Sequence, residues 1–308
     1  MTMPTTTTPQ SKPIPSVDTV AFRKRGYTIF RQLLDPHEVD DLRARAERDI
    51  AQAESEGRAG AIPGKEGTVR TGPGDLLSNP SVRPMLFDPR VLEIVRQLLG
   101  GDPVYFGDSN FRIGKSGERG WHRDNADRRR YWYRHGAEGR RWGSGPDWRG
   151  AYPIVRCAFY LQDQGGYSGG LALRPGSNRP GLLRPTLPKL VDARAGDFLV
   201  WELKTVHSAE VVRLRWLPDF PLHPRVQSRV PKSLRAPERA ERTVIFMTYA
   251  RPGAHLDRYL DYLKSRTYMH EQWASSRFGP EAVEEAERAG LHVMLPVPAY
   301  APQTTATT

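Results

Sequence analysis

From Val104 to Ala250 the chain is broken into short apolar runs by Gly, Asp, Asn and Pro, and that spacing limits the fold more than any other feature. The runs at 103–107, 109–113, 152–161, 170–173, 197–202, 205–213 and 242–250 are each strand-length. Strands of this length, separated by turn residues, pack as a barrel or a double sheet. Helical texture brackets them. Asp35, Pro36 and Glu38 supply an N-cap, a proline at the first helical position and a capping-box glutamate, opening a helix to about Glu56 with Val39, Leu42 and Ile50 inward. Asp88-Pro89 opens another, with Val91, Ile94, Val95, Leu98 and Leu99 at helical spacing and Gly100-Gly101 as its stop. After Pro252 helix returns, with a stripe of Leu256, Tyr259, Leu260 and Leu263 and a capped segment from Pro280 to Gly290. The expected class is mainly β with flanking α-helices, without alternating strand and helix that would build a parallel sheet.

The Thr/Pro-rich stretches 1–17 and 299–308 offer little to bury and are expected to be disordered tails, which leaves 18–298 as one domain. A Pro/Arg-rich segment at about 212–241 interrupts the strand pattern and is expected to be a lid or rim loop. Cys157 is the sole cysteine, so a disulfide framework and a CxxC metal site are both excluded, and a reducing, cytoplasmic setting is expected. No run approaches the roughly 18 apolar residues that a membrane span needs. The formal charge of +11 points toward anionic partners, although an Arg-, Ala-, Gly- and Pro-rich composition accounts for part of it.

Trp121-His122-Arg123-Asp124 carries the strongest chemical signal. On an extended chain residues two apart face the same side, so His122 and Asp124 can reach one ion together. A third ligand must come from elsewhere, and His207, on another strand-like run, fits. Two histidines and one carboxylate on one face of an octahedral Fe(II) leave three positions for a co-substrate and O2. His37, His255, His270 and His292 fall in helical regions or at their edges, His223 is boxed by prolines and His135 lies in an Arg-rich loop. Those six are read as surface or packing residues. Arg242 shares a strand face with the apolar Val244 and Phe246, and an inward guanidinium needs a carboxylate partner. A bound dicarboxylate would provide one, with Arg213 and Arg215 as competitors for that role. The segment 128–149 interleaves arginines with Tyr and Trp and could clamp an anionic or aromatic substrate.

Two other motifs are weighed and set aside. Gly166-Tyr167-Ser168-Gly169-Gly170 has the form of a hydrolase nucleophile elbow with Asp197 and His207 following, but strand rather than helix follows the serine. His122-Arg123-Asp124 matches a kinase catalytic loop in three letters, yet the remaining kinase motifs are missing.

From Val20 to about Tyr249 the chain resembles the phytanoyl-CoA dioxygenase-like branch of the Fe(II)/2-oxoglutarate oxygenases. The resemblance runs through Phe22 to Phe30, Leu33 to Val39, Trp121 to Asp124, Leu161-Gln162-Asp163, Gly169 to Asn178, Gly196-Asp197 leading to His207, and finally Arg242. It implies a double-stranded β-helix, or jelly roll, with iron held by His122, Asp124 and His207 and the distal carboxylate of 2-oxoglutarate held by Arg242. It also implies oxidation of a C–H bond of a small molecule, plausibly in secondary metabolism, with O2 as oxidant. Hydroxylation, or desaturation or ring formation by the same oxidant, is favoured over halogenation, because related halogenases replace the carboxylate that Asp124 supplies here. The chain departs from the pattern at Asn178, where the family usually has histidine, and in the 35 residues between His207 and Arg242, where it usually has about a dozen. A nucleic-acid-directed dioxygenase of the same superfamily and a non-catalytic, ligand-binding jelly roll are the alternatives, and the oligomeric state is left open.

Overall fold

The structure is a computed structural model that describes residues 14–58, 60–64, 67–114, 120–127, 145–180, 187–227, 229–239, 242–276 and 278–295. The chain opens with α1 (Thr19–Arg25), β1 (Tyr27–Phe30) and α2 (Pro36–Ser55), then a hairpin of β2 (Gly60–Gly64) and β3 (Gly67–Thr71), then α3 (Pro89–Leu99). Short strands β4 (Val104–Tyr105) and β5 (Asn110–Ile113) follow, and after them β6 (Ile154–Tyr160), β7 (Gly170–Leu173), β8 (Lys189–Leu190), β9 (Phe198–Glu202) and β10 (His207–Val211). The last part holds α4 (Pro224–Gln227), β11 (Thr243–Ala250), α5 (Ala254–Lys264), α6 (Thr267–Ala274), α7 (Pro280–Arg288) and β12 (His292–Val293).

Two antiparallel sheets carry the strands. The larger runs β1-β9-β6-β11-β5-β3-β2, with β4 joined to β11 and β12 pairing β4 in parallel; the smaller runs β10-β7-β8. Period-two alternation gives the large sheet two different faces. Val155, Cys157 and Phe159 of β6, Phe198 and Val200 of β9, and Ile245, Met247 and Tyr249 of β11 pack with Val39, Leu42 and Ile50 of α2, the apolar stripe of α3, and Ala282 and Ala286 of α7. The opposite residues, Ala158, Tyr160, Leu199, Trp201 and Val244, meet Leu171 and Leu173 of the small sheet. The molecule is therefore layered as helices, large sheet and small sheet, and the inter-sheet space is where inward polar groups collect.

The caps read from the sequence are present. Asp35 accepts from the Glu38 N–H at 2.9 Å while the Glu38 carboxylate accepts from the Asp35 N–H at 2.7 Å, and Gly100 ends α3 in the left-handed region. Fully burying six apolar side chains of α3, at about 1.5–3 kcal/mol each, fixes that helix on the sheet. Val17, in a stretch read as tail, packs against the main core. Of the expected tails, residues 1–13 and 299–308 lie outside the described residues.

The turn before β9 is stitched by Asp197, whose buried carboxylate accepts from Arg31 Nη1 at 2.5 Å, the Gln32 N–H at 2.9 Å and the Arg194 N–H at 2.8 Å. The Pro/Arg-rich insert folds on itself through a bridge between Leu214 and Arg235 and meets the segment leading into β7 through a bridge between Ser168 and Glu238. It leaves β10 at Val211, which pairs with Gly170, whereas His207 pairs with Leu173. The insert thus leaves the small sheet at the end remote from His207.

Candidate metal centre

His122 and His207 are brought together by backbone. The His122 N–H donates to the His207 carbonyl at 2.9 Å and the His207 N–H to the His122 carbonyl at 3.0 Å. A mutually hydrogen-bonded antiparallel pair puts its side chains on one face, and the two imidazole centroids are 4.4 Å apart. His207 pairs with Leu173, an inward residue, so both rings enter the inter-sheet space. Asp124 follows after one residue and is tethered by its N–H to the Leu203 carbonyl at 3.0 Å. It lies outside any regular strand, but the extended spacing still returns it to the side of His122. The intervening Arg123 points away and anchors the segment, donating to the carbonyls of Lys204 at 2.7 Å and Ser177 at 3.1 Å.

The donor set fits an ion. His122 Nδ1 lies 2.7 Å from the Gly120 carbonyl and His207 Nδ1 lies 2.9 Å from the Thr205 carbonyl. Since a carbonyl only accepts, each Nδ1 carries a proton, and Nε2 is the nitrogen left to ligate an ion that displaces its proton. Those nitrogens converge on Asp124, His122 Nε2 at 3.6 Å from Oδ1 and His207 Nε2 at 3.4 Å from Oδ2. One ligand atom from each residue lies within 4.8 Å of the other two. Cis ligands of an octahedral ion with bonds of about 2.1 Å sit about 3 Å apart, so only small closure is needed. Burial alone would push the Asp124 carboxyl up, but His207 and Arg156 hold it well below the ordinary carboxylate range. It is an anion ready to ligate.

Arg242 precedes β11 and crosses the inter-sheet space. It is buried, and Nη1 donates to the Gly169 carbonyl at 2.6 Å with the Ala209 carbonyl at 3.5 Å. Its Nε is buried without a partner, and no carboxylate among the described residues pairs with it. Ala209 lies two residues past His207, roughly 7 Å along a strand, the span that a short diacid chelating an ion at the histidines would bridge. Arg213 is differently placed. It is buried against Asp192 at 2.6 Å and the Pro218 carbonyl at 3.0 Å, while Arg215 is exposed.

The remaining candidates fall away from this group. His37, His270 and His292 are exposed, His255 stacks on Tyr152, and His223 is half-buried in the insert. His135 and residues 128–144 of the aromatic and basic segment lie outside the described residues. Trp148, from the end of that segment, is flanked by the cations of Arg123 and Lys204, each 5.1 Å from its ring. Ser168 is buried, accepts from the Arg213 N–H at 3.1 Å and leads into β7, so there is no nucleophile elbow. Asn178 holds the Arg23 carbonyl at 3.0 Å and packs the first helix onto the turn after β7.

Sequence reasoning missed two inward neighbours of the group. Trp201 is buried with its ring centroid 5.5 Å from that of His207 and its indole N–H unpartnered. Arg156 sits beside Trp201 on the next strand and reaches Asp124. Both were hidden in apolar runs, and only the strand register shows that they share the face of Ala158 and Leu199.

Comparison with known proteins places the chain in a family. Residues 22–213, more than half of the chain, match the family model described as phytanoyl-CoA dioxygenase. The chain belongs to the phytanoyl-CoA dioxygenase family. It is accordingly an iron- and 2-oxoglutarate-dependent enzyme of the non-haem type. Among curated proteins none matches. Similar solved structures include AviO1 from Streptomyces viridochromogenes Tue57, at 20% identity over 77% of this chain and 94% of that one with a TM-score of 0.48. The 2-oxoglutarate-dependent epimerase SnoN from nogalamycin biosynthesis is similar at 19% identity over 76% and 82%, TM-score 0.48. HygX from Streptomyces hygroscopicus, solved with nickel and 2-oxoglutarate bound, is similar at 15% identity over 74% and 84%, TM-score 0.49. No helix among the described residues is long and apolar enough to cross a membrane.

Proposed function

We propose that this member of the phytanoyl-CoA dioxygenase family is a dioxygenase that oxidises a C–H bond of a small molecule, with hydroxylation as the outcome. His122, Asp124 and His207 would hold the iron, Arg242 the far carboxylate of 2-oxoglutarate, and the two sheets would form the double-stranded β-helix of such enzymes. The observation that carries the reading is the convergence of two imidazole Nε2 atoms on one carboxylate. When bound, ferrous iron with 2-oxoglutarate supplies O2 activation coupled to decarboxylation to succinate.

The chain's own residues do the rest. The Gly120 and Thr205 carbonyls lock the imidazole tautomers. Arg242 offers a desolvated guanidinium whose charge a diacid would offset. Tyr160, Leu171, Leu173, Leu199 and Val244 keep the inter-sheet space apolar, which excludes water that would quench an oxidant. The carboxylate of Asp124 occupies the position that would have to be vacant for a halide, so halogenation is disfavoured.

The test is succinate release from 2-oxoglutarate by purified protein under air with Fe(II), using His122→Ala as control. Release that requires both Fe(II) and O2 and vanishes in the variant supports the proposal. Absence of release, or release unaffected by the substitution, contradicts it. A screen of small molecules for stimulation of that release would identify the substrate.

A further inference from the structure

Asp124 is held from behind by an arginine that the metal centre does not itself require. Arg156 lies on the inward face of β6, in register with Trp201 of β9 and Thr248 of β11. Its Nε is 3.7 Å from Asp124 Oδ2 and its Nη2 donates to Asp108 Oδ2 at 2.6 Å. Asp108 also accepts from the Tyr259 hydroxyl at 2.8 Å. All three side chains are largely buried, with Arg156 at 16% exposure and Asp108 at 7%. Burial works against the Arg156 charge, and Asp108 and Asp124 more than offset it, so its pKa moves up.

The arrangement answers a physical problem. The terminal torsion of an aspartate is soft, and a carboxylate free to swing can take an ion through one oxygen or two. A buried guanidinium charge 3.7 Å from Oδ2, beyond hydrogen-bond range, favours the orientation that keeps that oxygen turned toward it. A lone arginine there would also cancel the charge that attracts the metal. Asp108 restores it, because two carboxylates around one guanidinium leave the net single negative charge of Asp124 alone. Tyr259 in turn fixes Asp108, and it comes from α5, beyond the family-matched residues 22–213. The neighbouring α6 braces the same loop, through Trp273 Nε1 to the Gly107 carbonyl at 2.8 Å and Gln272 Nε2 to the Ser109 carbonyl at 3.0 Å.

We propose that Tyr259, Asp108 and Arg156 form a positioning chain for Asp124, which makes the C-terminal helical pair a working part of the metal centre. The inference rests on the assignment of His122, Asp124 and His207 as ligands. Its test is Co(II) binding by the full chain, read as a dissociation constant by chelator competition and as the ligand-field spectrum. Loss of an outer partner typically weakens metal affinity by about 10–100-fold, and that loss with an altered spectrum is expected for Arg156→Gln. Tyr259→Phe, which keeps the ring, should move both in the same direction and less. The double variant Asp108→Asn/Arg156→Gln removes both buried charges and keeps the test decisive if Arg156→Gln alone does not fold. Wild-type affinity and an unchanged spectrum in Tyr259→Phe and the double variant would overturn the proposal. Asp124→Ala separates the two levels, since undiminished Co(II) binding there would sink the ligand assignment itself.

Discussion

His122 and His207, 85 positions apart in sequence, exchange both backbone hydrogen bonds, at 2.9 and 3.0 Å. The proposed metal site is thus built on a rung of β-ladder, held together by main chain. Replacing either imidazole by Ala should leave the protein folded and remove its metal-linked stabilisation. A ligand at 100 times its Kd adds about 2.7 kcal/mol, worth several degrees in a protein of this size. Thermal melts with and without Fe(II) under argon should show that upward shift in the wild type and none in His122→Ala or His207→Ala. An equal shift in both variants would place the ion elsewhere.

The three arginines considered for 2-oxoglutarate should separate cleanly. Arg242→Ala removes a charge-assisted pair worth about 1.5–3 kcal/mol, so the 2-oxoglutarate requirement should rise roughly 10–100-fold, alongside a loss of stability from the hydrogen bond to the Gly169 carbonyl. Arg213→Ala breaks the pair with Asp192 and should lower stability by about 1–3 kcal/mol, leaving the 2-oxoglutarate requirement near normal. Arg215→Ala, at an exposed position, should do neither. Titration of succinate release against 2-oxoglutarate for the three variants checks the order, and a large shift in Arg213→Ala alone would reverse it.

Much of this was legible in the chain because local rules and the fold agree. The Asp35 capping box, the α3 stripe and the strand at 170–173 depend only on neighbours in sequence, and Arg242 faces inward because strand alternation demands it. The hairpin of β2 and β3 was not anticipated, since GAIPG and GTVRT carry few apolar residues to mark them as strands. Arg156 and Trp201 were invisible for another reason. Alternation shows that each faces opposite to Cys157 or Val200, but only register tells which face meets the metal. The insert, read as a lid or rim loop, departs from β10 at Val211, the end remote from His207, because its starting point follows from the direction of β10.

Asp75 sets an expected pH dependence of stability. Its buried carboxyl accepts from the Leu77 and Ser109 N–H groups at 2.9 Å each and from the Tyr105 hydroxyl, yet burial pushes its pKa up to about 6. A folded-state pKa above the unfolded value means that the folded protein binds the extra proton, so this contribution is present at low pH and fades as pH rises from about 4 to about 6. The full swing is at most about 3 kcal/mol. Urea midpoints at pH 4.5 and 7.0 should show the stability of the wild type relative to Asp75→Asn falling with rising pH; a rising difference would contradict the assignment.

Gly196 should tolerate no side chain. Its φ is +84° and a Cβ there would sit 2.4 Å from the Leu34 carbonyl oxygen, so Gly196→Ala combines left-handed strain of about 1–3 kcal/mol with a backbone clash. Because this turn launches β9 toward His207, the variant should lose melting temperature and metal-linked stabilisation together. Wild-type melting would show that the turn relaxes freely.

The most direct test of the account is the visible absorption of anaerobic protein titrated with Fe(II) in the presence of 2-oxoglutarate. A ferrous ion chelated by a 2-oxo acid at His122, Asp124 and His207 predicts a charge-transfer band that saturates at one iron per chain and is missing from both His122→Ala and His207→Ala. A wild-type protein without the band, or a band of undiminished strength in both variants, would contradict it.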